Sequence, residues 1–277
     1  MLKQRVITAV ILLALLLPAL FYPNPIPFNA ITLLLIAAAG WEWARLNGCS
    51  HKPALLWGAA LGVLLATLWM TVGLGAAGPW LWWLAGGFWL LLTPWLLKQG
   101  IGGWPLVPRW LRLSVGWVLI GLAWWAMAQA REQGIGMLLS ILLLVWVADV
   151  AAYFGGKALG KRKLAVNISP GKSWEGAISG ALGVLLLAVL WNAWWPHPAS
   201  PTLFTHVFAW GWPLALLAVF VLTAMSVTGD LVESLVKRSA GMKDSSQLLP
   251  GHGGVLDRVD ALLPVLPVAM MLMGWSA

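Results

Sequence analysis

The sequence predicts an all-α, polytopic integral membrane protein of about nine transmembrane helices, with its N-terminus cytoplasmic and its C-terminus external. Three observations predict this class. The 277 residues are 61% hydrophobic and only 9% charged, against roughly 25% charged in an ordinary soluble domain. Nine apolar runs approach the ~20 residues that a helix needs to cross a hydrocarbon layer. The basic residues fall almost wholly on one side of the resulting arrangement.

The runs cover 5–23, 28–46, 54–75, 78–97, 113–130, 135–156, 174–195, 207–236 and 259–276. The first begins like a secretory signal, with Lys3 and Arg5 before an apolar stretch. No small-x-small cleavage site follows and eight more runs do, so it reads as a retained helix. Threading the chain through nine spans leaves 16 of the 17 Lys and Arg, all but Arg131, on the cytoplasmic side, as the positive-inside rule expects. The net charge of +8 is then topogenic, and no basic, aromatic-interleaved soluble module is present to bind nucleic acid. The 22 Trp fit interfacial belts, with clusters such as WLWWLAGGFW packing inside spans. Cys49, the single cysteine, excludes an intramolecular disulfide framework and a zinc cluster.

Two regions differ in character. Residues 1–130 read as transmembrane scaffold, with short loops and few polar groups apart from Glu42 between Trp41 and Trp43. Residues 131–277 read as the catalytic region, with cytoplasmic loops at 157–173 and 237–257 and Pro-rich external connectors such as WWPHPASPTL.

Five of the nine acids fall between Asp230 and Asp260. Carboxylates at a membrane edge are expensive and by default mark function. In the eighth run, Ser226, Asp230, Glu233, Ser234 and Lys237 form one helical stripe. The following LLPGHGGVLDRVD supplies Gly251, Gly253 and Gly254, which let a backbone approach a ligand and expose N–H groups. Asp257 and Asp260 come after them, near the start of the ninth run. With Lys237, Arg238, Lys243 and Asp244, the segment offers cations for phosphate oxygens and oxygen ligands for a hard cation such as Mg²⁺. We expect Asp230 and Asp257 to be the direct ligands, with Asp260 in support and Asp244 orienting the loop. A blander reading makes Asp230 half of a buried ion pair with Lys237 and Asp257 a helix cap.

A third patch, ADVAAYFGGKALGKRKLAVNISPGKSWEGAISG at 148–180, sets Asp149 and Tyr153 four apart at the cytoplasmic end of a span. Its ISPGKSWEG is a polar turn leading into a helix, with Lys172 in the turn and Glu175 in the first helical turn. It lacks the G-x-x-x-x-G-K-[ST] spacing of a nucleotide-binding loop. Lys161, Arg162 and Lys163 read equally well as topogenic charge.

The stretch SLVKRSAGMKDSSQLLPGHGGVLDRVD, Ser234 to Asp260, closely resembles the signature of the phosphatidate cytidylyltransferases, S-x-x-K-R-x-x-x-x-K-D-x-x-x-x-x-P-G-H-G-G-x-x-D-R-x-D, at every fixed position. ISPGKSWEG resembles the family's I-S-P-K-K-T-W-E-G, departing at Gly171 and Ser173. The resemblance is sharp over 149–260 and general elsewhere. It implies a multi-pass enzyme of the inner (plasma) membrane whose active site faces the cytoplasm. Such an enzyme joins CTP to phosphatidic acid drawn from the bilayer, yielding CDP-diacylglycerol and pyrophosphate.

The resemblance also implies the parts played by individual residues. Catalytic roles fall to Lys237, Arg238, Asp244, His252 and Asp260. Substrate contacts fall to Lys172, Ser234, Lys243, Gly251, Gly253, Gly254 and Arg258. Mg²⁺ falls to Asp230 and Asp257, and a second, monovalent cation and a homodimer are left open. A transporter would place its acids near the midplane of repeated halves, and the halves here do not resemble each other. A CDP-alcohol phosphotransferase would carry D-G-x-x-A-R…G-x-x-x-D-x-x-x-D, which is absent.

Overall fold

The computed structural model describes residues 2–195 and 201–275; the connector expected at 194–203 therefore lies partly outside the described residues. Among the described residues, eight helices are long and apolar enough to cross a membrane. They are α1 (Leu2–Phe21), α2 (Ile26–Leu46), α3 (His51–Thr71), α4 (Pro79–Gly103), α5 (Arg109–Gln133), α6 (Ile135–Leu159), α7 (Trp174–Trp194) and, after the short α8 (Leu203–Phe208), α9 (Trp212–Ser239). Local chemistry sets their starts. Pro79 opens α4, where a missing N–H costs nothing. Ser173 caps α7, its Oγ accepting the Gly176 N–H at 3.1 Å.

The ninth expected span, 259–276, takes a different form. It becomes a one-turn α10 (Leu256–Val259) and a 12-residue α11 (Leu262–Met273). At 1.5 Å per residue α11 is about 18 Å long, and Asp260 and Ala261 between it and α10 keep right-handed helical dihedrals. Leu262 to Leu272 are all buried, because α4, α5, α6 and α9 surround the helix. High hydropathy here marks burial in protein, which hydropathy by itself does not distinguish from contact with lipid. The all-α expectation also needs one small correction. The loop between α6 and α7 carries a two-stranded antiparallel hairpin, β1 (Lys163–Ala165) and β2 (Ser169–Ser173).

Two close approaches shape the site. Along α7, a Cβ on Gly176 would lie 2.9 Å from the Ala152 carbonyl and one on Gly180 2.9 Å from the Ala148 carbonyl, so α6 and α7 touch backbone to backbone as small-residue seams permit. On α9, a Cβ on Gly229 would strike the Asp260 carbonyl and the Pro264 ring. The residue before Asp230 must therefore be small for α9 to lie against the α10–α11 junction. Tryptophans tie the first helices together. Trp124 is fully buried and its Nε1 donates to Thr32 Oγ1 at 3.2 Å, while Trp43 Nε1 donates to the Arg112 carbonyl at 3.0 Å. Along α1, by contrast, Val6, Val10, Ile11 and Leu13 are exposed, as lipid-facing side chains would be.

Candidate active site

The expected stripe on α9 forms. Ser234 Oγ donates to Asp230 Oδ1 at 3.2 Å, and Lys237 Nζ lies 2.5 Å from Glu233 Oε2 one turn away. The two carboxylates expected to bind metal each carry a lysine. Lys172, at the end of the hairpin, reaches across to α9, its Nζ 2.7 Å from Asp230 Oδ2 and 3.3 Å from the Val227 carbonyl. Lys237 Nζ also lies 2.5 Å from Asp257 Oδ1. The ion pair anticipated between Asp230 and Lys237 is thus not the one that forms. Lys237 turns towards Glu233 and Asp257, which leaves Asp230 to the hairpin.

Asp257 is held on every side. Its Oδ2 accepts the Ser245 N–H at 2.9 Å, the Ser245 hydroxyl at 2.9 Å and the Gly254 N–H at 2.7 Å. Burial opposes a charge there, but the Lys237 ammonium and the two backbone N–H groups outweigh it and hold the carboxyl below its ordinary value. The glycine segment folds back on itself, with Leu249 N–H donating to the Gly253 carbonyl at 2.9 Å. Gly251 and Gly253 have φ of +78° and +82°, conformations that favour glycine. The Gly254 N–H, expected to face a ligand, is taken internally by Asp257, and the Val255 and Leu256 N–H groups are taken by Glu42.

Glu42 was not among the expected site residues. It was assigned to scaffold, yet it lies under this loop, completely buried. Its signal was legible: a carboxylate within an apolar span. Asp149, noted in the sequence beside Tyr153 but given no role there, also finds a place. It lines, with Tyr153, Lys157, Lys172 and Asp230, a polar cavity of about 410 Å³ between α6, the hairpin and α9. Glu175 serves the hairpin, accepting from the Lys161 and Arg162 N–H groups at 3.1 Å and from Arg162 Nε at 3.0 Å.

The remaining expected residues surround this centre. Arg238, Lys243, Asp244 and Arg258 are exposed, and none enters an ion pair among the described residues. His252 is half-buried, and its Nδ1 has no hydrogen-bond partner among the described residues. Asp260 is partly buried at the α10–α11 junction, with Oδ1 accepting the Ala261 N–H at 2.8 Å.

A second, larger hollow opens beside the polar cavity. It measures about 1280 Å³ and is walled by apolar residues of α4, the hairpin, α7 and α9, among them Trp174, Ala181, Leu185, Phe220 and Ala224. Leu164, Ala177 and Val227 border both spaces. An apolar groove therefore runs up to a pocket of carboxylates and lysines.

Whether these groups suit a hard divalent cation can be judged from their oxygens. Asp230 has about a third of its side chain exposed and lines the polar cavity. Asp257 Oδ1 has Lys237 as its partner, whereas Oδ2 is filled by three donors. Both acids already attract a cation, and one or two carboxylates suffice for Mg²⁺, which completes its shell with water and phosphate. No group of three or more His, Cys, Asp or Glu side chains gathers as a closed cage among the described residues. Asp230, facing the polar cavity, suits an ion shared with a substrate, whereas Asp257 is not among the residues that line that cavity.

Eight long apolar helices among the described residues are those of a multi-pass membrane protein. Residues 3–275 match the cytidylyltransferase family, and the chain belongs to that family. It is 37% identical over 286 residues to the phosphatidate cytidylyltransferase of Pseudomonas aeruginosa, covering 100% of both chains. It is 37% identical over 290 residues to the phosphatidate cytidylyltransferase of Haemophilus influenzae, covering 96% of each. The Brucella suis protein of the same name is 36% identical over 277 residues, 95% of this chain and 89% of that one.

Proposed function

We propose that this chain transfers the cytidylyl group of CTP to phosphatidic acid in the membrane, releasing pyrophosphate and leaving CDP-diacylglycerol in the bilayer. The observation that carries the reading is the apolar groove of about 1280 Å³ meeting the polar cavity of about 410 Å³ across Leu164, Ala177 and Val227. The groove suits acyl chains arriving from lipid, and the cavity suits phosphates and a nucleotide arriving from water.

In-line attack of the lipid phosphate on the α-phosphorus of CTP gathers several anionic oxygens at one point. Positioning and charge neutralisation therefore do most of the work. Lys172 is the cation at the junction of the two spaces and is the first candidate for the phosphatidate headgroup. Arg238, Lys243 and Arg258, exposed and free of ion pairs among the described residues, suit the CTP phosphates. His252, with an unpartnered Nδ1, suits ligand positioning, since phosphatidate is already ionised near pH 7 and needs little base catalysis. Asp230 and Asp257 would hold Mg²⁺, which when bound would supply positive charge to neutralise phosphate oxygens. Lys237 orients Asp257 and balances Glu233.

The loops at 157–173 and 237–257 face the cytoplasm in this reading, with the membrane being the inner (plasma) membrane, because the basic residues collect there. Ser246 is buried against Glu42, so exposed Lys161 and Gln247 are the positions for cysteine labelling, in a background where Cys49 is replaced by Ser. Labelling of either by an impermeant reagent from the external face would refute the orientation.

The deciding experiment incubates purified protein with labelled CTP, phosphatidate and Mg²⁺. Label should enter a chloroform-soluble product with stoichiometric pyrophosphate. No transfer to phosphatidate, or equal transfer to diacylglycerol, would sink the reading.

A further inference from the structure

Glu42 is the only acid in the first 130 residues, and none of its side chain is exposed. Its partners are all donors from a segment more than 200 residues away. Oε1 accepts the Ser246 hydroxyl at 2.5 Å and the Val255 N–H at 3.0 Å. Oε2 accepts the Leu256 N–H at 2.8 Å and lies 3.2 Å from the Ser245 hydroxyl. Ser245 Oγ stands between two acids, 3.2 Å from Glu42 and 2.9 Å from Asp257. Its single proton serves one of them at a time.

We propose that Glu42 is a positioning residue for the transfer reaction, a buried anion in α2 that clasps the glycine loop and so fixes the Asp257–Lys237 pair. The inference rests on the cytidylyl-transfer reading. The connection is continuous: Glu42 holds Ser245, Ser246, Val255 and Leu256, Ser245 and Gly254 hold Asp257 Oδ2, and Asp257 Oδ1 holds Lys237. The sequence of the loop fits the clasp. A Cβ at position 254 would overlap both the Glu42 carboxylate and Ser245 Oγ, so only glycine lets the loop close over the acid. A carboxylate placed in an apolar span is costly, and this one is matched by donors at both oxygens, as a buried charge requires. Glu42 lines neither the polar cavity nor the apolar groove. It acts on the geometry of the loop and has no part in holding substrate.

The test compares Glu42→Gln, Glu42→Asp and Ser246→Ala as purified full-length proteins, with turnover, KM for phosphatidate, and hydrogen exchange along the chain as readouts. The amide of Gln turns an NH₂ towards donors, so Glu42→Gln should lower kcat by about 30-fold, the worth of a hydrogen bond to a charged group. KM for phosphatidate should change by less than about threefold, since Lys172 and the apolar groove are untouched. Exchange should accelerate in peptides covering 244–257 and stay unchanged in α6 and α7. Glu42→Asp, with the charge kept, should recover part of kcat. Ser246→Ala, which removes one donor and leaves Glu42 its other three contacts, should show the same pattern at about 3- to 10-fold and carries the test if the Gln variant does not fold. Normal exchange in the loop of the variants overturns the clasp. A kcat that is unchanged per folded molecule, or a KM that rises in step with the loss of kcat, overturns the positioning role. An inactive wild type would instead overturn the functional reading, while exchange still reports on the clasp.

Discussion

Lys172 Nζ lies 2.7 Å from Asp230 Oδ2, pinning the hairpin between α6 and α7 to the polar stripe of α9. This contact closes one wall of the cavity in which we place the chemistry. It joins two segments that the sequence offers as separate patches, ISPGKSWEG and TGDLVES.

Asp230→Asn keeps size and hydrogen bonding but removes the charge that attracts Lys172 and a metal. The variant should insert and fold, and lose activity by at least about 100-fold, as expected where a transition-state charge loses its stabilising partner. The same assay run on wild type with a chelator should show loss of activity and full recovery on adding Mg²⁺. An Asp230→Asn enzyme of normal turnover at limiting Mg²⁺ would remove Asp230 from the metal site.

Arg238 is exposed and unpaired with any acid among the described residues, so its charge is available to a phosphate. Arg238→Ala should cut kcat/KM for CTP by about 10- to 100-fold, the worth of one hydrogen bond between charged groups. Lys161 engages Glu175 only through its backbone N–H, and Lys161→Ala should be nearly silent. Equal effects of the two substitutions would mean that only general charge is being read.

Asp257→Asn leaves Lys237 with Glu233 as its one charged partner. Breaking a buried pair costs about 3–5 kcal/mol when no partner remains, so with Glu233 still present the loss should be smaller, seen as a lower thermal midpoint in detergent. Activity should fall much further than the folded fraction does. A variant with an unchanged midpoint and unchanged turnover would show that the Lys237–Asp257 contact has no role.

Ala181 and Ala224 face the apolar groove, where a larger side chain would occupy space for an acyl chain. Ala181→Trp should raise KM for phosphatidate by about tenfold, as loss of one or two buried methylene contacts does. KM for CTP should hold within about threefold. A parallel rise in both constants would place the groove outside the lipid path.

Some of this architecture was legible residue by residue. The apolar runs of α1 to α7 and α9 needed only length and hydropathy, because a helix in lipid must satisfy its own backbone and so announces itself locally. The α9 stripe and the hairpin lysine were likewise within reach of helical spacing and motif. For the run at 259–276 hydropathy alone does not decide, because burial by neighbouring helices and burial by lipid demand the same apolar residues.

What the sequence by itself determined was the class of molecule, the stripe on α9 and the concentration of charge between Asp230 and Asp260. The tertiary structure decided which acid meets which lysine, with Lys172 on Asp230 and Lys237 between Glu233 and Asp257. It also decided that Glu42 lies under the glycine loop. The physical reason is range. Helical periodicity and membrane-spanning length are properties of neighbouring residues. The Glu42–Val255 contact spans 213 positions and exists only because α2, the glycine loop and α10 pack together.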